Sequence, residues 1–299
     1  MLILTFLLLH TIPGGPFDQE RVLPPEIEQN LYEKYGLQRR GDENFWVWFG
    51  KDLKSYLSYL TRGQLGPSLK YRDRDVSEMM ARAIPPSAQL ALYSLVLATI
   101  GGFFLGLCSA RRPNGWPDRL FSFMSSLSVS LPGFVKAVIL VMIFSFWLVW
   151  LPPALWEGLS YRILPVITLS ATPTAYFIQL TRSGLLTQLK QDFIRTARAK
   201  GVPERTVLLK HAFKNVAQPL LTVLGPTAAG LITGSFVVET IFAIPGLGRH
   251  FVTAIIDRDY FLVMGITLFY AAILIVLNWM VDVGYLWLDP RMRKGVNRG

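Results

Sequence analysis

Apolar residues run through the chain in long blocks separated by short polar segments. Ile84–Ala110 and Ile163–Leu180 carry no charge, while Leu120–Leu151 carries only Lys136, Val216–Phe242 only Glu239, and Tyr260–Leu288 only Asp282. A bilayer core about 30 Å thick needs roughly 20 apolar helical residues, so the five blocks predict five spans. Met1–Leu9 is apolar too, but His10-Thr11-Ile12-Pro13 closes it. Residues 1–13 as a helix reach about 20 Å, short of a crossing. They lack the basic start and small-residue cleavage site of a signal peptide, and read as the outer half of a first helix whose inner half is missing from this sequence.

Between the first two blocks the pattern turns amphipathic. Pro24-Pro25-Glu26 suits a helix start, with proline in the first turn and acids near the positive end. Lys34 then falls in the last turn and Gly36 supplies a C′ glycine. Phe45, Trp48/Phe49, Asp52/Leu53, Tyr56/Leu57 and Leu60 recur at helical spacing and predict a second helix over 44–61. Trp46, Trp48, Tyr56 and Tyr59 are expected at the outer membrane interface. Segment 14–83 is therefore a small helical cap rather than a catalytic domain.

Composition changes the picture by exclusion. At 52% hydrophobic and 17% charged residues, the chain is neither disordered, nor a coiled coil, nor a disulfide-stapled secreted domain, since soluble chains carry about 25% charge. The single cysteine, Cys108, lies in an apolar stretch and reads as a small buried hydrophobe. His10, His211 and His250 are scattered, so neither a metal cluster nor a catalytic group is expected, and solvated or interfacial positions suit them.

Charge then sets the topology. Segments 111–119, 182–214 and 289–299 together hold 15 basic residues against four acids, in a chain of net charge +10. Positive charge on alternate loops marks the cytoplasmic side; both chain ends are expected there and 14–83 outside. With no basic–aromatic stripe on a soluble face, nucleic-acid binding is not expected. The expected division is 1–13 as the short first helix, 14–83 as the cap, 84–288 as the membrane core and 289–299 as a tail.

Within the core, loop 183–219 is the most patterned segment. Asp192 is expected to cap a short helix, Phe193–Lys200, ended by Gly201 in the left-handed C′ conformation. Pro203 and Glu204 suit the first positions of a second short helix, Pro203–Lys210, whose apolar face includes Leu208, Leu209, Ala212, Phe213 and Val216. A glycine corner between two short helices is a rigid knuckle, fit to transmit force to a partner.

The run Arg195-Thr-Ala-Arg-Ala-Lys-Gly201, with a basic helix and Pro219 after it, resembles the EAA loop of binding-protein-dependent ABC importer permeases. The resemblance covers almost the whole chain. Leu23-Pro24-Pro25-Glu26, Lys34-Tyr35-Gly36-Leu37, Leu131-Pro132-Gly133-Phe134, Gly234–Phe242, Pro245-Gly246-Leu247-Gly248 and Arg258-Asp259-Tyr260 are similar to oligopeptide permeases of the B type. It implies an all-α polytopic fold: the type I importer fold of six transmembrane helices, the first apparently truncated, with a helical extracytoplasmic insertion. It also implies a bacterial inner-membrane transport subunit for oligopeptides or dipeptides. Partners would be a second similar permease, two cytoplasmic ATPases carrying the ATP and Mg, an extracytoplasmic binding protein and the bilayer. Related substrates of such permeases are nickel, glutathione and oligosaccharides. Arg195, Ala197, Gly201 and Pro203 take the coupling positions, although Arg195-Thr196-Ala197 stands where the general motif has Glu-Ala-Ala. No Gly-x-x-x-x-Gly-Lys-Ser/Thr phosphate loop occurs, so the chain is not expected to be the ATPase, and no cofactor is expected in it.

Charges inside spans are costly and point inward. Lys136, just after Pro132-Gly133, is expected to face the interior, against the alternative of snorkelling along a tilted helix. Glu239 is placed near the outer end of its span, as a structural hydrogen bond or a pathway contact. Asp282 suits a structural role near the inner face. Pro245, Gly246 and Gly248 form either an outer gate loop or a simple turn. A membrane enzyme would need clustered acids or a nucleophile–base pair, which these dispersed charges do not supply. A self-sufficient secondary transporter would show internal repeats, and none is evident.

Overall fold

The computed structural model describes residues 1–11, 17, 25–35, 37, 45–71, 73–233 and 235–288, without the side chains of 25–28, 282 and 284–288. The expected roles of Gly36, Gly234, the Asp282 side chain and tail 289–299 thus fall outside the described residues. Apart from an isolated bridge between Pro67 and Asp75, the described chain is built from helices and turns. Four helices are long and apolar enough to cross a membrane: Val76–Arg111, Leu159–Gln188, Glu204–Ile241 and Tyr260–Val281. Taken together as one span, the bent pair Trp116–Ser130 and Gly133–Trp147, at 114°, makes a fifth. The sequence block Leu120–Leu151 is therefore not one straight helix. Pro132 disfavours the α conformation at the residue before it, and Leu131 is extended at φ −85° and ψ 129°. The helix breaks completely there, and a new one starts at Gly133.

The chain divides into two compact units. The first comprises Met1–Ser87 and Ile244–Ala272. It contains α1 (Leu2–Thr11), α2 (Pro25–Tyr35), α3 (Phe45–Thr61) and the start of α4 (Val76–Arg111). Its later stretch holds α12 (Leu247–Ile256) and the start of α13 (Tyr260–Leu288). The helices around 25–35 and 45–61 stand as expected, but the aromatics do not all face outward. Trp46 is exposed, whereas Trp48 and Tyr56 are buried with Phe6, Phe49 and Phe261. Burying their apolar area outweighs an interfacial position, since each aromatic side chain removes a large surface from water.

His10 is a second correction, being buried rather than solvated. Its ring stacks on Phe6 at 4.1 Å, and Nε2 lies 3.3 Å from the Asp52 carboxylate. The short apolar helix α1 is therefore tied to α3 by a polar contact inside an aromatic cluster.

The second unit comprises Ala88–Ala243 and Ile273–Gly299. In it lie the rest of α4, α5 (Trp116–Ser130), α6 (Gly133–Val141), α7 (Leu159–Gln188), α8 (Asp192–Ala199), α9 (Glu204–Thr206), α10 (Phe213–Thr233) and α11 (Phe236–Ile241). Wide π turns follow α6 over Met142–Trp147 and join α9 to α10 over Val207–Ala212. Gly102 and Gly106, one helical turn apart on α4, let it lie directly on α7. A Cβ at Gly106 would stand 2.8 Å from the Ile178 carbonyl and 2.7 Å from Cβ of Thr181. Small residues four apart permit such backbone approach where lipid supplies no hydrophobic drive. Cys108 is exposed rather than buried, because Gly102 and Gly106 occupy the packed face of α4.

Candidate functional site

Two features of the second unit carry the expected chemistry: a knuckle in the basic loop and a cavity between helices. The knuckle begins at α8. Its N-cap is Gln191, with no side-chain capping bond, so Asp192 is not the cap expected. Asp192 stands in the first helical turn, where its charge still faces the positive helix end. At the other end Gly201 has φ +73°, as its place after the helix requires. Its N–H bonds the Arg198 carbonyl at 2.9 Å, and the Val202 N–H bonds the Ala197 carbonyl at 3.2 Å. These two bonds are the Schellman pattern that closes a helix on a left-handed residue.

Pro203 is the N-cap of α9 rather than its first residue, and Glu204 begins the helix. The expected separate short helix Pro203–Lys210 is instead the start of a continuous rod. α9, the π turn and α10 run on into the membrane, as one apolar stretch from Glu204 to Ile241. On α8, Ile194 and Ala197 are buried against Val207 and Ala212, so one face of the short helix is fixed to the base of that rod. Arg195, on the opposite face, is exposed and lies 3.4 Å from Asp192. Across the corner Arg198 pairs with Glu204 at 2.6 Å and 3.1 Å. The Glu204 hydrogen bond holds the Arg198 guanidinium above its ordinary pKa. The knuckle thus has a buried side, packed on the base of the Glu204–Ile241 helix, and a charged, exposed side.

Beside it lies a residue pair that sequence reasoning passed over. Asp118, in the first turn of α5, is buried. It accepts the Arg182 guanidinium in a two-point grip, at 2.5 Å and 2.8 Å. It also accepts the Ser109 hydroxyl and, at 2.8 Å, the Asn114 N–H. One carboxylate therefore ties α4, the turn after it, α5 and α7. Its sequence signal is an acid among basic residues just after Trp116-Pro117, a helix start, while Arg182 counts there only toward the basic charge of segment 182–214.

The cavity has a volume of about 590 Å³ and is lined by residues of α6, α7, α10 and α11. Lys136 is on its wall. Its ammonium donates to the Ser128 carbonyl at 3.0 Å and to the Thr172 hydroxyl. Glu239 is buried, accepts the Ser235 hydroxyl at 2.6 Å, and is not among the lining residues, so the structural hydrogen bond is the reading its placement fits. Pro245, Gly246 and Gly248 lie in the other unit, at the start of α12, with Gly246 its N-cap. The Leu247 N–H donates to the Ser87 hydroxyl at 2.8 Å, so this segment opens a helix anchored to α4. The expected residues therefore form separate groups: Arg195, Ala197, Gly201 and Pro203 at the knuckle, Lys136 at the cavity, and the proline–glycine segment at a helix start. Among the described residues no group of His, Cys, Asp and Glu could hold a metal.

Comparison with known proteins assigns the whole. The chain is 39% identical over 290 residues to the dipeptide transport system permease protein DppB of Bacillus subtilis (strain 168), covering 97% of this chain and 92% of that one. It is 40% identical over 295 residues to the oligopeptide transport system permease protein OppB of Escherichia coli (strain K12), covering 98% and 94%. Among solved structures, a chain of the inward-facing MetNI methionine ABC transporter superposes with a TM-score of 0.60 at 14% identity, covering 71% of this chain and 97% of that chain. This shared fold is the type I importer membrane fold. Residues 102–294 match the family described as binding-protein-dependent transport system inner membrane component, and the chain belongs to that family.

Proposed function

We propose that the chain is the peptide-carrying permease subunit of an ATP-driven importer in a bacterial inner membrane, with its basic loops in the cytoplasm and segment 14–83 outside. It forms half of a pathway with a second, similar permease; two ATPases drive the pair and an extracytoplasmic binding protein delivers the peptide. The observation that carries this reading is near-full-length likeness to dipeptide and oligopeptide permeases. The knuckle fits it mechanically, because α8 has an exposed face for a partner and a buried face on the α9–α10 rod.

ATP-dependent uptake of labelled di- and tripeptides, with partner subunits present, tests the substrate and the energy source together. Uptake that persists without ATP would mark a secondary transporter instead. Coupling is tested at Gly201. A Cβ there meets nothing within 4 Å, so any effect comes from its φ of +73° alone. A β-branched residue is the least tolerant of that conformation. Gly201→Val is expected to abolish most uptake and weaken ATPase copurification at normal expression, while Gly201→Asn keeps both. Wild-type uptake by the valine variant would remove the knuckle from the coupling path.

A further inference from the structure

The cavity wall combines two electropositive features that the sequence placed three residues apart. α6 begins inside an apolar block because the chain breaks after Ser130. Its N-cap is Pro132, which makes no side-chain capping bond. The first-turn N–H groups of a helix have no acceptor within it and carry partial positive charge. Gly133 and Phe134 line the cavity at this end, and the side of Gly133 where a Cβ would stand is open. Lys136 is the only Lys, Arg, Asp or Glu among the described residues that line the cavity. Its two hydrogen bonds go to a carbonyl and a hydroxyl, so neither offsets its charge, and an ammonium has three donors. A buried, uncompensated cation at membrane depth is costly and marks a ligand path.

We infer that Lys136 and the uncapped first turn of α6 form an anion site that receives the terminal carboxylate of a passing peptide. This rests on the peptide-permease reading above and names the contact that serves it. A volume of about 590 Å³ falls within the several hundred Å³ usual for small-ligand sites. The start of a broken transmembrane helix facing an anionic substrate group is a recurring solution in membrane transport. The terminal carboxylate is common to all unblocked peptides, so a single fixed cation can guide many side-chain sequences. The amino end finds no counterpart among the described lining residues, which include no acid, and Glu239 is buried outside that lining.

The test is initial uptake into proteoliposomes holding the complete transporter. A tripeptide and its C-terminal amide are chosen so that the delivery protein binds both equally. The wild type should prefer the free acid, and Lys136→Met should lower the acid-to-amide uptake ratio about tenfold, the size of one charged hydrogen bond. Lys136→Arg should keep most of the preference. A parallel fall for both peptides would make Lys136 a mere tie between α5, α6 and α7 and overturn the proposal. So would an unchanged ratio, or a wild type that takes up acid and amide alike. ATPase copurification checks assembly, and if the methionine variant fails to assemble the ratio is read in Lys136→Gln under the same criteria. Failure of the peptide reading looks different: the wild type then imports neither peptide while its ATPases remain bound.

Discussion

Each compact unit buries an aspartate in a hub of hydrogen bonds, and the two hubs are built on different logic. In the first unit Asp259 stands just before α13 and is buried. It accepts the Ser68 hydroxyl, the Leu69 N–H at 3.2 Å and the Leu262 N–H at 3.2 Å, the last being a helix-capping bond. Ser68 extends the hub by accepting the Tyr71 N–H at 2.9 Å. No cation is among these partners. In the second unit Asp118 has a similar hydroxyl and N–H, from Ser109 and Asn114, but adds the two-point grip of Arg182. Burial pushes the Asp259 carboxyl above its ordinary range, against the downward pull of its hydroxyl and backbone donors. The contrast shows that neutral donors suffice to anchor a loop within the cap, whereas the Asp118 hub, which joins three helices, is held by opposite charges.

The comparison predicts a graded series. Asp118→Ala should cost most, about 3 kcal/mol, because it strands the Arg182 charge along with two other donors. Thermal unfolding of the purified protein would register this, and the double change Asp118→Asn with Arg182→Gln should recover part of it. An equal loss in both variants would mean that packing, not charge pairing, holds the hub. Ser68→Ala should cost less, about 1–2 kcal/mol, since it removes the bond to Asp259 and those from the Lys70 and Tyr71 N–H groups but strands no cation. A larger loss than at Asp118 would invert the comparison.

A pH profile isolates the missing countercharge. Because the folded Asp259 pKa is raised, the folded chain holds this proton more tightly than the unfolded chain does. Its stabilising contribution is complete below the unfolded value near 4 and fades as pH rises through the folded one. Asp259→Asn should flatten that part of a melting curve series. An unaltered slope would show that the carboxyl does not titrate in the window. The smallest effect is expected at the exposed Arg198–Glu204 pair, where Arg198→Ala should change stability by about 0.5 kcal/mol or less, as solvent screens it. Its effect on uptake should exceed its effect on melting, because it spans the Gly201 corner.

The sequence by itself determined what depends on local pattern. Apolar block length gave the spans, and alternating basic loops gave an expected orientation. Gly201 was legible as a left-handed corner because the stop signal of a helix lies within two residues of it. Even the interior placement of Lys136 followed from the cost of its charge at that depth. What needed the tertiary structure were pairings between residues far apart in the chain. Asp118 on α5 and Arg182 on α7 are 64 residues apart and meet only when those helices pack. His10 looked solvated because, apart from Phe6 one turn back on α1, its partners Asp52, Trp48 and Tyr260 are distant in sequence. The full break at Pro132 likewise exceeded the local signal. Proline removes a donor and restricts the residue before it, but the path of the chain beyond is fixed by what α6 packs against, and that is decided only when the helices assemble.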